Sequence, residues 1–429
     1  MKVTVVGGGS TYTPELVDGL LRRRAELDLH EIVLVDVDPE RLRVVGGFAR
    51  RMVERAAGDR VAVTLTDDLA SGVERAGAVV NQVRVGRNDA RRRDELLGRE
   101  LGLIGQETVG IGGFANALRT IPVALSLAEV VADRASDAHL LNFANPAGVV
   151  TEALCRHGAH PAIGVCNVPW STKALVAGAF AAEAADVDLD VVGLNHLTWT
   201  RRAVVAGTDR TAEALSVLAS LHPETFPDDP SVAPTWTRAG IELLGALPNP
   251  YLAYYTETAA WVAHQAVSAP RADEVADVEA RLLERYADVA LDAPPPELAE
   301  RGGAHYSEAA AALLADLVGE GGVHHVVNVP NAGAIPGLPD DWVVEVSARV
   351  EGGRATPRPT EPLRPDVDAL VRTVKDVELL TVAAAVHGDQ DAARRALLVH
   401  PLGPPAHRVD QVWQRLREVH AGWLGRLDA

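Results

Sequence analysis

A short β-branched run, Lys2-Val3-Thr4-Val5-Val6, breaks into Gly7-Gly8-Gly9 and then enters an amphipathic pattern over residues 12–25. Few folds accept that succession. A strand that turns on glycines into a helix exposes backbone amides at the helix N-terminus, where the dipole favours a pyrophosphate. A second strand-like run, 31–36, ends in Asp36, the expected acceptor for a ribose hydroxyl pair. Its charge repels a 2′-phosphate, which favours NAD over NADP. The third glycine of the usual fingerprint is replaced by Tyr12. Gly7, Gly9, Ser10, Thr11 and Asp36 are therefore the candidate dinucleotide-binding residues.

The alternation continues with a helix over 39–56, strands over 61–65 and 78–85, a helix over 114–134 and strands over 138–143 and 161–166. This succession favours a doubly wound, mostly parallel α/β sheet of the Rossmann type over residues 1–167. From 168 to 429 the pattern changes. A helix over 170–184, strands over 188–194 and 201–206, a proline-rich stretch over 222–250 and a strand pair near 325–350 are expected, with helices over 256–267, 271–287, 306–319, 365–386 and 390–398. That half reads as a mixed α+β domain.

The chain has 429 residues, enough for more than one packed unit, and a formal net charge of −18. Lysine occurs only at Lys2, Lys173 and Lys375, and the arginines are scattered, so no basic stripe offers itself to nucleic acid or anionic lipid. The first residues lack the apolar stretch and cleavage site of a signal peptide, and the mature protein is expected to begin at or near Met1. No unbroken apolar run reaches about eighteen residues, because Arg119 and Glu183 interrupt the longest ones; no membrane span is expected. Cys155 and Cys166 are too few for a disulfide framework and are expected to be reduced thiols in cytoplasm.

Cys166 and His196 each close an apolar run. Thiolate and imidazole suit a borderline divalent transition ion, and strand ends beside a dinucleotide crevice are where such sheets place their chemistry. Taken singly, each reads equally well as a structural residue. Two ligands leave open positions for substrate or water, as a catalytic metal requires. Asn142 and Asn145-Pro146 close another strand at the same edge, either as hydroxyl-binding groups or as a strand-ending turn. Arg84, Arg87, Arg91, Arg92 and Arg93 crowd one segment, mostly as solvated charges, with one or two available for a substrate phosphate. Tyr251, Tyr254 and Tyr255 cluster in a chain only 4% aromatic; such clusters are usually core, although a tyrosine beside a metal and a nicotinamide can act as a base.

Seven segments, GGGSTYTPEL (7–16), VRVGRNDARRRDE (83–95), GQETVGIGG (105–113), NFANPAGVVTEA (142–153), GVCNVP (164–169), GLNHL (193–197) and PYLAYY (250–255), together resemble glycoside hydrolase family 4, and most of all its 6-phospho-β-glucosidase branch. The resemblance implies a lactate/malate dehydrogenase-like dinucleotide domain, tightly held NAD, and a divalent ion, commonly Mn²⁺, on Cys166 and His196. This family departs from the two-carboxylate glycosidases. Its mechanism, by the resemblance, removes hydride from sugar C3 to NAD⁺, lets a tyrosine take the acidified C2 proton, expels the aglycone, adds water at C1 and returns the hydride.

By motif position the tyrosine is Tyr254, with Tyr255 adjacent. Arg91 matches a contact to the 6-phosphate side, Asn145 a sugar-binding asparagine and Glu107 an acid near the metal, with Arg271 a further substrate-binding candidate. Asn167 stands where α-selective members carry an acidic proton donor, which points to β-linked substrates. The implied substrates are phosphorylated disaccharides or aryl β-glucoside 6-phosphates, and the implied assembly a homodimer or homotetramer. Two other readings share the fold: a family 4 glycosidase of another sugar specificity, and an NAD-dependent 2-hydroxyacid dehydrogenase.

Overall fold

The computed structural model describes residues 1–225, 229–301 and 306–428, so residues 226–228 of the proline-rich stretch lie outside the described residues. Thirteen strands are present among them: β1 (Lys2–Val6), β2 (Glu31–Val35), β3 (Ala62–Thr66), β4 (Ala78–Asn81), β5 (His139–Asn142), β6 (Ala162–Gly164), β7 (Val187–Leu194), β8 (Leu197–Val205), β9 (Thr208–Asp209), β10 (Leu247–Pro248), β11 (Val323–Pro330), β12 (Val343–Glu351) and β13 (Arg354–Pro357). Nine form one sheet in the order β13-β12-β11-β6-β5-β4-β1-β2-β3. The six strands from β6 to β3 are parallel, and the chain reverses its direction of winding between β1 and β4. That is the Rossmann order, and the switch point is where such sheets open a crevice.

Alternate side chains of the parallel strands feed two cores, one on each face. Val3, Val5, Ile32, Leu34 and Val80 enter one; Val6, Val33, Val35 and Val79 enter the other. The helices close over these faces for local reasons. Pro14 opens Thr13–Arg22, where a missing amide costs nothing, and the Asp38 carboxylate accepts the amides of Glu40 and Arg41 at the start of Pro39–Ala57. Helix Gly110–Arg134 is long and apolar enough by length and composition to cross a membrane, but it runs through the second core. Its Arg119 is neutralised there by buried Asp94.

The structure departs from the sequence reading in instructive places. The strand expected over 78–85 stops at Asn81, and a helix, Arg87–Leu101, follows a left-handed Gly86 (φ 75°). Its buried face is Ala90, Asp94, Leu97, Gly98 and Leu101, a helical spacing masked in the sequence by the surrounding arginines. A C-terminal helix, Val409–Val419, was also not anticipated; it buries Val412, Trp413 and Leu416 in the second core.

The main sheet takes strands from both sides of the 167/168 junction, because β11, β12 and β13 extend it antiparallel from β6. The smaller sheet, β10-β8-β7 with β9 on β8, lies beyond that junction. The halves are also tied by charge. Lys375, fully buried on helix Pro365–His387, bonds Glu152 on helix Ala147–His157 (2.8 Å) and the Val343 carbonyl of β12 (2.7 Å), and pairs with Glu378. Removing one partner of a buried pair strands the others. Lys375→Met should therefore destabilise the protein by about 3 kcal/mol or more, read as a lower thermal midpoint, and adding Glu152→Gln and Glu378→Gln should restore part of the loss.

Candidate active site

Four strand ends meet at one edge of the sheet. Gly7 follows β1, Gln82 follows β4, Asn145 lies beyond β5 and Cys166 beyond β6, and all four line a cavity of about 540 Å³. Gly7 adopts φ 91°, and a Cβ there would stand 3.0 Å from the Gln82 carbonyl oxygen; only glycine lets the turn pass so close. The Gly9 amide donates to Asp36 Oδ2 (2.8 Å) and the Asp38 amide to Oδ1 (3.0 Å), so the carboxylate is fixed across the turn. Gln82 Nε2 donates to the Gly7 carbonyl (3.0 Å) and to Thr13 Oγ1 (2.8 Å). Gly7, Gly9, Ser10 and Asp36 all face the cavity. Thr11 is not on its wall; it is fully buried and its hydroxyl donates to Glu279 Oε1 (3.1 Å).

Cys166 sits two residues past β6, just before helix Val168–Ala179. His196 is not at a strand end, as the sequence implied, but in the tight turn joining β7 to β8, where Leu194 pairs with Leu197. It adopts φ 61°, a left-handed conformation unfavourable for a bulky side chain and typical of residues held for function. The turn brings His196 Nε2 to 3.7 Å from Cys166 Sγ.

Burial, reinforced by Glu345, pushes the thiol pKa up, while the Val168 amide, the Asn195 side chain and the Asn167 amide act the other way. Burial also drives the His196 pKa down to about 4, against the pull of Glu107, so the imidazole is neutral and able to ligate. A thiol and an imidazole nitrogen this close could both ligate one divalent ion. The observed spacing fits one shared ion. No cluster of three histidine, cysteine, aspartate or glutamate residues that could hold a metal is found among the described residues.

Glu107 is buried between two arginines, 2.8 Å from Arg84 and 3.3 Å from Arg91. Arg91 also bonds Glu95 (2.8 Å); burial opposes its charge, but Glu107 and Glu95 outweigh that and hold the guanidinium ionised. Asn145, Asn167 and Arg271 line the same cavity, and Arg271 is half exposed beside Glu274. Asn142 does not reach it. Asn142 is fully buried, accepting from Asn81 Nδ2 (2.9 Å) and donating to Thr151 (3.1 Å), so it ties strand ends together.

The three tyrosines of the cluster stand in different settings. Tyr251 is the member on the cavity wall, its ring 4.2 Å from that of His196. Tyr254 lies behind it against Trp261 (4.4 Å), and Tyr255 borders a separate small cavity of about 40 Å³. Burial raises all three phenol pKa values, that of Tyr254 to about 12. Motif position could not separate them because Pro250–Leu252 is a single tight turn running into a four-residue helix, and that bend decides which ring faces inward. Glu279, Asn88 and Arg41 also line the cavity and carry no local sequence signal.

Fold and cavity together define a Rossmann-type α/β protein whose dinucleotide crevice opens onto a thiol–imidazole pair. Residues 2–181 match the family 4 glycosyl hydrolase model, and residues 191–403 the family 4 glycosyl hydrolase C-terminal domain. The 6-phospho-beta-glucosidase BglT of Thermotoga maritima is 36% identical, over 99% of each chain. A crystal structure of the 6-phospho-beta glucosidase from Thermotoga maritima with manganese, NAD+ and glucose-6-phosphate superposes with a TM-score of 0.90 at 33% identity, covering 98% of both chains. Malate dehydrogenase from Plasmodium falciparum shares the fold alone, with a TM-score of 0.51 at 14% identity over 92% of this chain and 99% of that one. The chain belongs to glycoside hydrolase family 4.

If Cys166 and His196 share one ion, Cys166→Ser and His196→Ala should each weaken Mn²⁺ binding at least tenfold, while NAD binding stays measurable. Titration followed by electron paramagnetic resonance reads the first and fluorescence the second. Unchanged Mn²⁺ affinity in both variants would remove the site.

Proposed function

We propose that this chain is a cytoplasmic 6-phospho-β-glucosidase that acts on phosphorylated disaccharides or aryl β-glucoside 6-phosphates with NAD and a divalent ion, Mn²⁺ in the first instance. The observation that carries the reading is the single cavity shared by the glycine turn, the Cys166–His196 pair and an arginine-rich wall. The near-full-length likeness to a 6-phospho-beta-glucosidase supports it, and Asn167, an amide where an acidic donor would serve α-linked substrates, supports β selectivity. Residues 1–167 form the dinucleotide-binding unit and 168–429 the substrate and assembly unit. No residue of helix Thr258–Val267 is fully buried and Val267 is 60% exposed, which supports a homodimer or homotetramer.

In this reading the amides of the glycine turn hold the pyrophosphate and Asp36 accepts the ribose hydroxyls. Cys166 and His196 hold the ion, and Asn145 orients the sugar. When bound, NAD supplies reversible hydride transfer and the ion polarises neighbouring sugar oxygens. Tyr251 is the base for the C2 proton, because its ring borders both His196 and the cavity. Arg91 and Arg271 receive the 6-phosphate. Arg91 is already shared between two carboxylates, so the half-exposed Arg271 is the more available charge.

With p-nitrophenyl β-glucoside 6-phosphate, NAD⁺, Mn²⁺ and a thiol, nitrophenol should be released without matching NADH, and solvent deuterium should enter C2 of the product. Stoichiometric NADH would mark a net dehydrogenase instead. Tyr251→Phe should cut turnover at least a hundredfold and Tyr254→Phe far less; the reverse order would return the base to Tyr254. Arg271→Ala should raise KM for the phosphorylated glycoside more than tenfold with little change for the free glycoside.

A further inference from the structure

Helix Arg271–Ala287 belongs to the second half of the chain, yet it is fastened to the dinucleotide half at both ends. Near its C-terminus Tyr286 stacks on Phe48 with centroids 4.6 Å apart and donates its hydroxyl to the Thr11 carbonyl (3.0 Å). Arg51 caps the helix by donating to the carbonyls of Tyr286 (2.7 Å) and Asp288 (2.9 Å). At the other end Glu95 accepts the Ala272 amide (3.0 Å).

Between these anchors Glu279 faces the glycine turn. Thr11 Oγ1 donates to its Oε1 (3.1 Å), Asn88 Nδ2 donates to its Oε2 (2.8 Å), and Arg41 Nη2 lies 3.7 Å away. Arg41 Nε in turn donates to the Gly9 carbonyl (3.2 Å). A single carboxylate, 13% exposed, therefore joins the glycine turn, helix Pro39–Ala57 and the first turn of Arg87–Leu101. It also lines the dinucleotide cavity. Its negative charge rules out a direct role in holding a pyrophosphate, so its effect comes through the donors it orders. Hydrogen bonds to a carboxylate are stronger than neutral ones, and two of them with one ion pair converging on Glu279 restrict the turn as a unit.

We propose that Glu279 is a positioning residue that keeps the dinucleotide seated through turnover, by locking Thr11, Asn88 and Arg41 around the glycine turn from the opposite half of the chain. The proposal rests on the reading above, in which the same cofactor molecule must give back the hydride it took. A cofactor that is not released between the two transfers needs a slow exit, and a carboxylate anchored outside the Rossmann unit provides one through the donors it orders.

The test uses the full-length protein with its bound NAD. Retained NAD is counted after desalting, and its release is timed by fluorescence of pre-bound NADH chased with excess NAD⁺. Glu279→Ala should speed release at least tenfold, and Glu279→Gln, which keeps one acceptor but loses the charge facing Arg41, should fall between. Glu300→Gln, which removes an exposed partner of Arg281 elsewhere along the helix, should leave release unchanged. If Glu279→Ala does not fold, Thr11→Val removes one bond from the other side at nearly constant volume and should accelerate release several-fold. Unchanged release in the Glu279 variants, with or without a lower thermal midpoint, overturns the proposal. A parent protein that itself loses NAD on desalting would instead overturn the retained-cofactor reading on which it stands.

Discussion

The 3.7 Å approach of Cys166 Sγ to His196 Nε2 is the contact on which the site depends, and neither residue makes it alone. Cys166 comes from the edge of the large sheet and His196 from a hairpin of the small one. Side chains shift to the opposite face with a one-residue slip in register, so the hairpin must be held against the large sheet without error. Strand β12 does this. Its Ser347 hydroxyl accepts the Val191 amide (3.1 Å) and donates to the Leu189 carbonyl (2.5 Å), and its Glu345 accepts from Asn195 (2.9 Å), the neighbour of His196.

Behind the thiol and imidazole lies a buried acidic layer. Glu345 accepts from Asn195 and Asn328 on the same oxygen, and burial raises its pKa to about 7 against those two bonds. Glu378, close to the small cavity behind His196, pairs with buried Lys375. The thiol is thus backed by Glu345 through Asn195, the kind of support that orients ligands in metalloproteins generally.

Much of this was legible in the sequence because the relevant physics is local. A glycine turn after a β-branched strand, an acid at the end of the next strand and alternating apolar runs gave the Rossmann core, and Cys166 and His196 stood out through their residue chemistry. The rest depends on contacts between distant segments. Nothing near Glu279 marks it as a partner of Thr11, 268 residues away. The helix Arg87–Leu101 hid behind its arginines, and for Asn142 only buried partners on distant segments separate a strand-ending role from a hydroxyl-binding one. That Tyr251 rather than Tyr254 faces the cavity follows from a turn whose direction no spacing rule specifies.

The way the large sheet is completed bears on how the chain is made. Strand β6 ends at Gly164, but β11, which covers its outer side, begins at Val323, about 160 residues later. At synthesis rates of about 5–20 residues per second, the nascent Rossmann core waits on the ribosome for roughly 10–30 s with one parallel edge open. Exposed edges invite strand addition by other chains. A newly made chain is therefore most vulnerable to aggregation before its own C-terminal quarter emerges, and holdase chaperones have the most to contribute in that interval.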